Sequence, residues 1–585
     1  TYGAADSMGL NSHIVLNLAA VLFILPFLLF SALAGQIADK FEKSSLIQKI
    51  KLLEIIIMSA GAVALLTESY VVLLILLFLM GAKSAFFGPC KYAILPQHLG
   101  RHELVGGNAL VEMGTFVSIL LATIGAGIIM QFDHYLEIAA VLIVCLAISG
   151  YLSSYFIPKA EAIDAQLKLD FNIVKSSWNL ISYARETRGI FLAIMAISWF
   201  WFLGAAYLTQ FPNFSRDSLN GDPSLVTLLL AIFTLGIGFG SLLCEKLSRK
   251  QVELGIVPIG ALGMTIFGID LYFSIPTSLA SVETWSSFIA DAENWRLLIN
   301  LGGIGIFGGV FIVPLYAYIQ LRVEEEYRAR IIGVINIINA LFLVSSGLAA
   351  MLFLGVFGLK ISEFFLIISI MNITVSLFIF YQVDEFAIRF IVWVLTNIIY
   401  RVKEHGRENI PAEGAAVLVS NHVSFVDALL IASTSPRPIR FVMDHNIFKN
   451  RLLGWFFRLV KAIPIAPEKV CEKTYKAAFD TVSQVLKEGH LVCIFPEGKI
   501  TRTGNMNEFK TGIEKIVQRD PVPVIPIGLI GLWGSYFSHK EGSAFTKRPS
   551  RFWSRVEIRV GKSRPASEIS AKILYDDVEH LCKAH

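Results

Sequence analysis

The chain has 585 residues, 55% hydrophobic and 16% charged, with a formal net charge of +4. Soluble globular domains carry about 25% charged residues, so a wholly soluble protein is excluded, and the small net charge gives no ground for a nucleic-acid partner. The six cysteines (Cys90, Cys145, Cys244, Cys471, Cys493 and Cys582) are scattered without a C-x-x-C pair, the pattern of reduced apolar thiols and not of a zinc site or disulfide framework.

Apolar runs long enough to cross a bilayer fall at 13–34, 46–66, 70–93, 106–131, 136–157, 189–212, 224–246, 253–274, 297–320, 330–356 and 361–382, about eleven in all. Lysine and arginine cluster in alternate connections. Lys40, Lys43, Lys49 and Lys51 follow the first run; Arg101 follows the third, with Lys91 at its edge. Lys159, Lys168, Lys175, Arg185 and Arg188 lie in the long link at 158–188; Lys246, Arg249 and Lys250 follow the seventh run, and Arg322, Arg328 and Arg330 the ninth. The other connections hold only Arg216, Arg296 and Lys360. The positive-inside rule puts the basic connections in the cytoplasm. The chain then starts outside and ends inside, and the odd count leads us to expect one further span before residue 1.

A weak repeat recurs six runs apart. GQIADKFEK, with Gly35, Asp39, Lys40 and Lys43, follows the first run; GSLLCEKLSRK, with Gly240, Glu245, Lys246 and Arg249, follows the seventh. FFGPCKY (Pro89, Tyr92) closes the third run and FIVPLYAY (Pro314, Tyr316) lies in the ninth. Two parallel halves joined by a cytoplasmic link resemble the major facilitator superfamily. The resemblance implies halves at 1–157 and 189–384, a linker at 158–188, and a charged hinge. There Gly35 would let helices approach, and Asp39 would pair with a base across the cytoplasmic gate.

Charge inside a membrane is costly unless it faces a cavity or a partner. Lys83 lies near the middle of the third run and Glu112 early in the fourth. Lys83 either meets an anionic head group or pairs with Glu112. Asp270 lies near the outer end of the eighth run, within reach of water.

Beyond 385 the pattern changes. Residues 386–406 read as an amphipathic helix on the cytoplasmic leaflet or as the first buried helix of a new domain. Strands are expected at 415–420, 439–443, 490–498, 521–529 and 555–561, and helices after 427 and at 475–489. This alternation predicts an α/β domain over 385–585.

The first of these strands runs into SNHVSFVDALL. Ser424 and Asp427 have the spacing of a capping box, which alone would account for both. Alternatively His422 takes a proton from a hydroxyl while Asp427 fixes its tautomer. A later strand runs into FPEGKITRTG. There Glu497 offers an acceptor for glycerol hydroxyls, Gly498 admits close backbone approach, and Lys499 and Arg502 can meet a phosphate.

The ordered blocks NHVSFVD, AIPIAP (462–467), FPEGKITRTG and VPVIPI resemble the glycerolipid acyltransferase family. The resemblance implies that His422 is the general base, oriented by Asp427, and that the hydroxyl attacks an acyl thioester with no metal and no bound cofactor. Asn421, Glu497, Gly498, Lys499, Thr501 and Arg502 would bind the acceptor. The second block ordinarily ends in arginine; Ala466 stands there instead, which favours a lysophospholipid over lysophosphatidic acid.

GPCKYAILPQ (88–97), GNALVEMGTF (107–116), SWFWFLGAAYLTQFPNF (198–214) and VELGIVPIGALG (252–263) further resemble bacterial lysophospholipid transporters. Some of these are fused to an acyltransferase of the 2-acylglycerophosphoethanolamine type and then to an acyl-carrier-protein synthetase. The combination implies inward movement of lysophosphatidylethanolamine across the bacterial inner membrane and its re-esterification at the cytoplasmic face. Acyl-carrier protein or coenzyme A would supply the acyl group; either a synthetase domain follows the C-terminus or the chain is a natural two-part form. The alternatives are a lysophosphatidic acid acyltransferase attached to an unrelated exporter, or a transporter with a non-catalytic binding tail.

Overall fold

The computed structural model describes residues 12–248, 252–276, 282–382, 384–435, 437–540, 542, 548 and 553–583. Arg249 and Lys250 lie outside the described residues. The chain divides into two compact units, Thr1–Ile379 and Phe380–His585.

The first unit is a helical bundle. Its helices are α1 (Ser12–Lys40), α2 (Lys43–Leu66), α3 (Tyr70–Ala93), α4 (Leu104–Ile129) and α5 (Tyr135–Ser154), then the linker helix α6 (Ile173–Glu186). After it come α7 (Arg188–Leu219), α8 (Pro223–Leu247), α9 (Val257–Phe273), α10 (Trp295–Arg322), α11 (Arg328–Ala350) and α12 (Ile361–Gln382). Among the described residues, 10 helices are long and apolar enough to cross a membrane. Each expected run is helical, but α2 falls outside the 10 because Lys49, Lys51 and Glu54 lie on it.

Small residues set the helix contacts. Gly236 and Gly240 on α8 face Gly305 and Gly309 on α10, both pairs four residues apart. A Cβ on Gly240 would lie 1.9 Å from the Ile306 carbonyl oxygen, and one on Gly309 2.3 Å from that of Ile237. Paired small residues bring backbones together where lipid offers no hydrophobic drive for helix association.

The linker is ordered against α1 and the turn that follows it. Glu42 accepts the Ala160 N–H at 2.8 Å, and Lys40 donates to the Leu167 carbonyl at 2.8 Å. Gln36 accepts the Asp170 N–H at 2.8 Å and donates to Ser176 Oγ at 2.6 Å. Helix α6 buries Ser176, Leu180 and Ala184, one side chain per turn, so a single stripe faces the bundle.

The second unit is α/β. Its strands are β1 (Arg401–His405), β2 (Ala416–Ser420), β3 (Ile439–Asp444), β4 (Ile463–Ile465), β5 (Leu491–Ile494), β6 (Val524–Ile530) and β7 (Arg555–Val560). They form one sheet in the order β1-β7-β6-β2-β5-β3-β4. All neighbours are parallel except β6 and β7. Helices α13 (Asp384–Ile399), α14 (Asp427–Thr434), α15 (Arg451–Leu459), α16 (Glu472–Lys487), α17 (Gly512–Arg519) and α18 (Ala571–Lys583) complete it. Strands β2 and β5 are buried along their whole length, as continuous apolar runs with both faces covered should be.

The segment 386–406 is not one helix. Helix α13 stops at Ile399, and 401–405 pairs with β7 as an edge strand. On α13, Ala387, Phe390 and Val392 are buried while Ile391, Leu395 and Ile398 are exposed.

Candidate active site

Parallel strands bring their C-terminal ends to one edge of a sheet, where connecting loops meet. Strand β2 ends there at Ser420 and the adjacent β5 at Ile494, so the two motif-bearing loops, 421–426 and 495–505, become neighbours. This topology assembles residues some 70 positions apart.

His422 Nδ1 lies 2.8 Å from Asp427 Oδ2. The same oxygen accepts the backbone N–H groups of Val423 at 2.6 Å and Ser424 at 2.8 Å. Asp427 is fully buried, whereas the His422 side chain keeps 22% exposure. With Nδ1 turned to the carboxylate, Nε2 is the nitrogen left to receive a proton. The imidazole stacks on Phe495, centroids 4.2 Å apart and planes 17° apart, which fixes its orientation. The expected capping box is only half formed. Asp427 takes the Ser424 N–H, but α14 begins at Asp427 itself, and Ser424 Oγ accepts from Val426 N–H at 3.4 Å.

Three expected substrate-binding residues turn out to build the site. Glu497 is 1% exposed. One of its oxygens accepts the His422 N–H at 2.6 Å; the other accepts from Asn507 N–H at 2.7 Å and Nδ2 at 2.6 Å. It is therefore a clamp between the two loops and not a free acceptor for a glycerol hydroxyl. Burial raises its carboxyl pKa, opposed by these N–H groups. Asn421 pairs with the Leu529 backbone in both directions, at 3.0 and 2.8 Å, and so locks the end of β2 to β6. Thr501 is 1% exposed; its N–H donates to the His422 carbonyl at 2.9 Å and its hydroxyl to the Asn505 carbonyl at 2.6 Å.

Gly498, Lys499 and Arg502 remain open to solvent. Gly498 has φ +67°, where only glycine is unstrained, and a Cβ there would lie 2.5 Å from Lys510 Nζ. Lys499 and Arg502 carry no ion pair among the described residues. Lys510 is a third cation over this loop. No motif marks Lys510 or Asn507, while Phe495 stands in the FPEG block itself. Ala466, just after β4, is 1% exposed.

In the first unit, Asp39 is buried and accepts from Arg330 Nε at 3.0 Å, an ion pair between the two halves. The helices meet closely here: a Cβ on Gly35 would lie 2.6 Å from Arg330 Cα. The repeat-related Tyr92 and Tyr316 stack 4.4 Å apart and 1° from parallel. Asn108 and Gln320 exchange hydrogen bonds of 2.6 and 3.1 Å beside them.

Of the two readings of Lys83, the pair with Glu112 is absent. Lys83 bonds Glu54 at 3.0 Å, and Glu54 also meets Lys51 at 2.8 Å. Glu54 sits on α2, directly against α3, and so reaches Lys83 first. Glu112 is fully buried and accepts the Tyr92 hydroxyl at 2.6 Å. Asp270 accepts from Arg296 at 3.0 Å and from Asn300 at 2.8 Å.

Comparison with known proteins agrees with this division. The Acyltransferase family model matches residues 401–530, and the Major Facilitator Superfamily model matches residues 4–347. A lysophospholipid transporter, LplT, of Photorhabdus laumondii is 27% identical over 355 residues, covering 58% of this chain and 78% of its own length. LplT of Escherichia coli O7:K1 is 27% identical over 360 residues, with 58% and 78% covered. The human organic anion transporter MFSD10 shares the fold, with TM-score 0.51 and 13% identity over 64% of this chain and 87% of that one. The superfamily match takes in more than half of the sequence, so the chain is a multi-pass membrane protein that belongs to the Major Facilitator Superfamily and carries a C-terminal acyltransferase domain.

Proposed function

We propose that the first unit moves a lysophospholipid across the bacterial inner membrane and that the second re-acylates it on the cytoplasmic side. The chemistry rests above all on one observation: the 2.8 Å contact between His422 Nδ1 and Asp427, which leaves Nε2 to act. In the reaction, the free glycerol hydroxyl of the lysolipid gives its proton to Nε2 and its oxygen attacks the thioester carbonyl. The tetrahedral intermediate collapses, the C–S bond breaks, and the thiolate leaves, taking up the proton from His422. Asp427 holds the tautomer throughout and stabilises the imidazolium. An ester forms and a free thiol is released, with no acyl-enzyme.

Lys499, Arg502 and Lys510 suit the acceptor's phosphodiester. Ala466 supports a diester acceptor, since it supplies no cation for a phosphate monoester. A mostly apolar cavity lined by Ile388, Val392, Leu429, Phe441, Phe456 and Phe457 suits an acyl chain. The donor is an acyl thioester of acyl-carrier protein or coenzyme A. In the first unit, the 27% identity to lysophospholipid transporters supports the same lipid as cargo, lysophosphatidylethanolamine foremost. A charged head group cannot cheaply cross hydrocarbon unaided, and fusion raises the acceptor's effective concentration at the enzyme.

Purified protein supplied with lysophosphatidylethanolamine, lysophosphatidic acid and each donor in turn should form diacyl lipid from the diester acceptor in preference. Preference for lysophosphatidic acid would overturn the assignment of acceptor.

A further inference from the structure

Residues 445–467 contain no acid, and Lys449, Arg451, Arg458 and Lys461 lie within them. Helix α15, inside this stretch, has two unlike faces. Arg451, Trp455 and Arg458, spaced four and three residues apart, share one side and are all exposed, Trp455 at 59%. Phe456 and Phe457 turn the other way and wall the apolar cavity together with α13 and α14. Arg451 and Arg458 carry no ion pair among the described residues. Lys449 donates only to the neutral Asn446 side chain, at 2.8 Å, so its charge too is uncompensated.

We propose that the Arg451–Trp455–Arg458 face of α15 docks on an anionic lipid surface. An indole favours the level of lipid head groups, and cations near an anionic leaflet each add to binding. A protein partner with an acidic face would also meet the arginines. The large, exposed tryptophan between them favours lipid, because the chain is itself a membrane protein and the leaflet is always at hand. Docking here acts on the same short helix that forms a wall of the cavity. The membrane's charge would therefore bear on α14, whose first residue is Asp427.

Hydrogen–deuterium exchange of the full chain tests this in nanodiscs of phosphatidylcholine alone and of an equal mixture with phosphatidylglycerol. Exchange over 449–461 should slow by up to about thirtyfold in the anionic nanodiscs, the order expected for two cations at such a surface. Arg451→Glu/Arg458→Glu should lose that difference. Equal exchange of the unaltered chain in both lipids would overturn the proposal, a result that does not depend on the variant folding. So would slowing in phosphatidylcholine nanodiscs on addition of acyl-carrier protein without any response to phosphatidylglycerol.

Discussion

The Glu497 carboxylate accepts the backbone N–H of His422 at 2.6 Å, so an acid from one motif holds the backbone of the histidine in the other. Its second oxygen secures Asn507, which closes the loop behind it. In Glu497→Gln one acceptor becomes an N–H facing a donor. Turnover should fall by about tenfold to a hundredfold, the cost of hydrogen bonds to a charged group. The thioester's KM should stay near the unaltered value, as steady-state kinetics would reveal.

The same carboxyl predicts a pH dependence. Burial raises its pKa in the folded chain. A raised folded pKa means the proton-linked stability is fully present below the unfolded value and is lost as pH rises through the folded one. The Tm gap between the unaltered chain and Glu497→Gln should be widest in mild acid and narrow toward neutral pH in detergent. A gap that widens with pH would contradict this.

Asp427→Asn keeps the shape of the site but offers an amide to three N–H donors that now share Oδ2. The imidazole tautomer is then no longer enforced. Turnover should drop by about 10²- to 10⁴-fold with little change in lipid binding, measurable as product formation against lysolipid retention.

In the first unit, removing one partner of a buried ion pair leaves the other charge unpaired, at a cost of about 3–5 kcal/mol. Asp39→Asn should slow lysolipid movement in proteoliposomes. Asp39→Asn/Arg330→Gln should recover part of the loss, because the stranded guanidinium is gone. Additive losses would argue that the two act separately.

The interlocked glycines give a structural contrast. Gly240→Val would drive a side chain into the Ile306 carbonyl and should lower Tm steeply in detergent. At Gly347, in α11, an added Cβ has nothing within 4 Å. Gly347→Ala should leave Tm unchanged or slightly raised, since alanine is the better helix former.

Much of this was legible in the sequence. Apolar runs and basic loops located the helices, and β2 and β5 were readable because a strand covered on both faces is a continuous apolar run. His422 and Asp427 are close enough in sequence to touch, but their spacing fits a capping box equally well, and the family resemblance is what singles out the pair. What stayed hidden depends on packing. Lys83 chose Glu54 over Glu112 because α2 abuts α3, which no periodicity encodes. Arg330 looked like one loop cation among several until α11 was set against α1. Strand β1, RVKEH, alternates exposed with half-buried residues and has no apolar signature, so its sequence reads as the end of a helix. Glu497, Asn421 and Thr501 have polar side chains suited to substrate; only the distances show them holding the backbone instead.

The most direct measurement follows lysophosphatidylethanolamine and an acyl thioester through the purified full chain and weighs the diacyl product by mass spectrometry. The unaltered protein should accumulate phosphatidylethanolamine and release one thiol for each ester formed, and His422→Ala, folded to the same Tm, should form almost none. Equal product from His422→Ala, or none from the unaltered protein with either donor, would contradict an imidazole-driven acyl transfer.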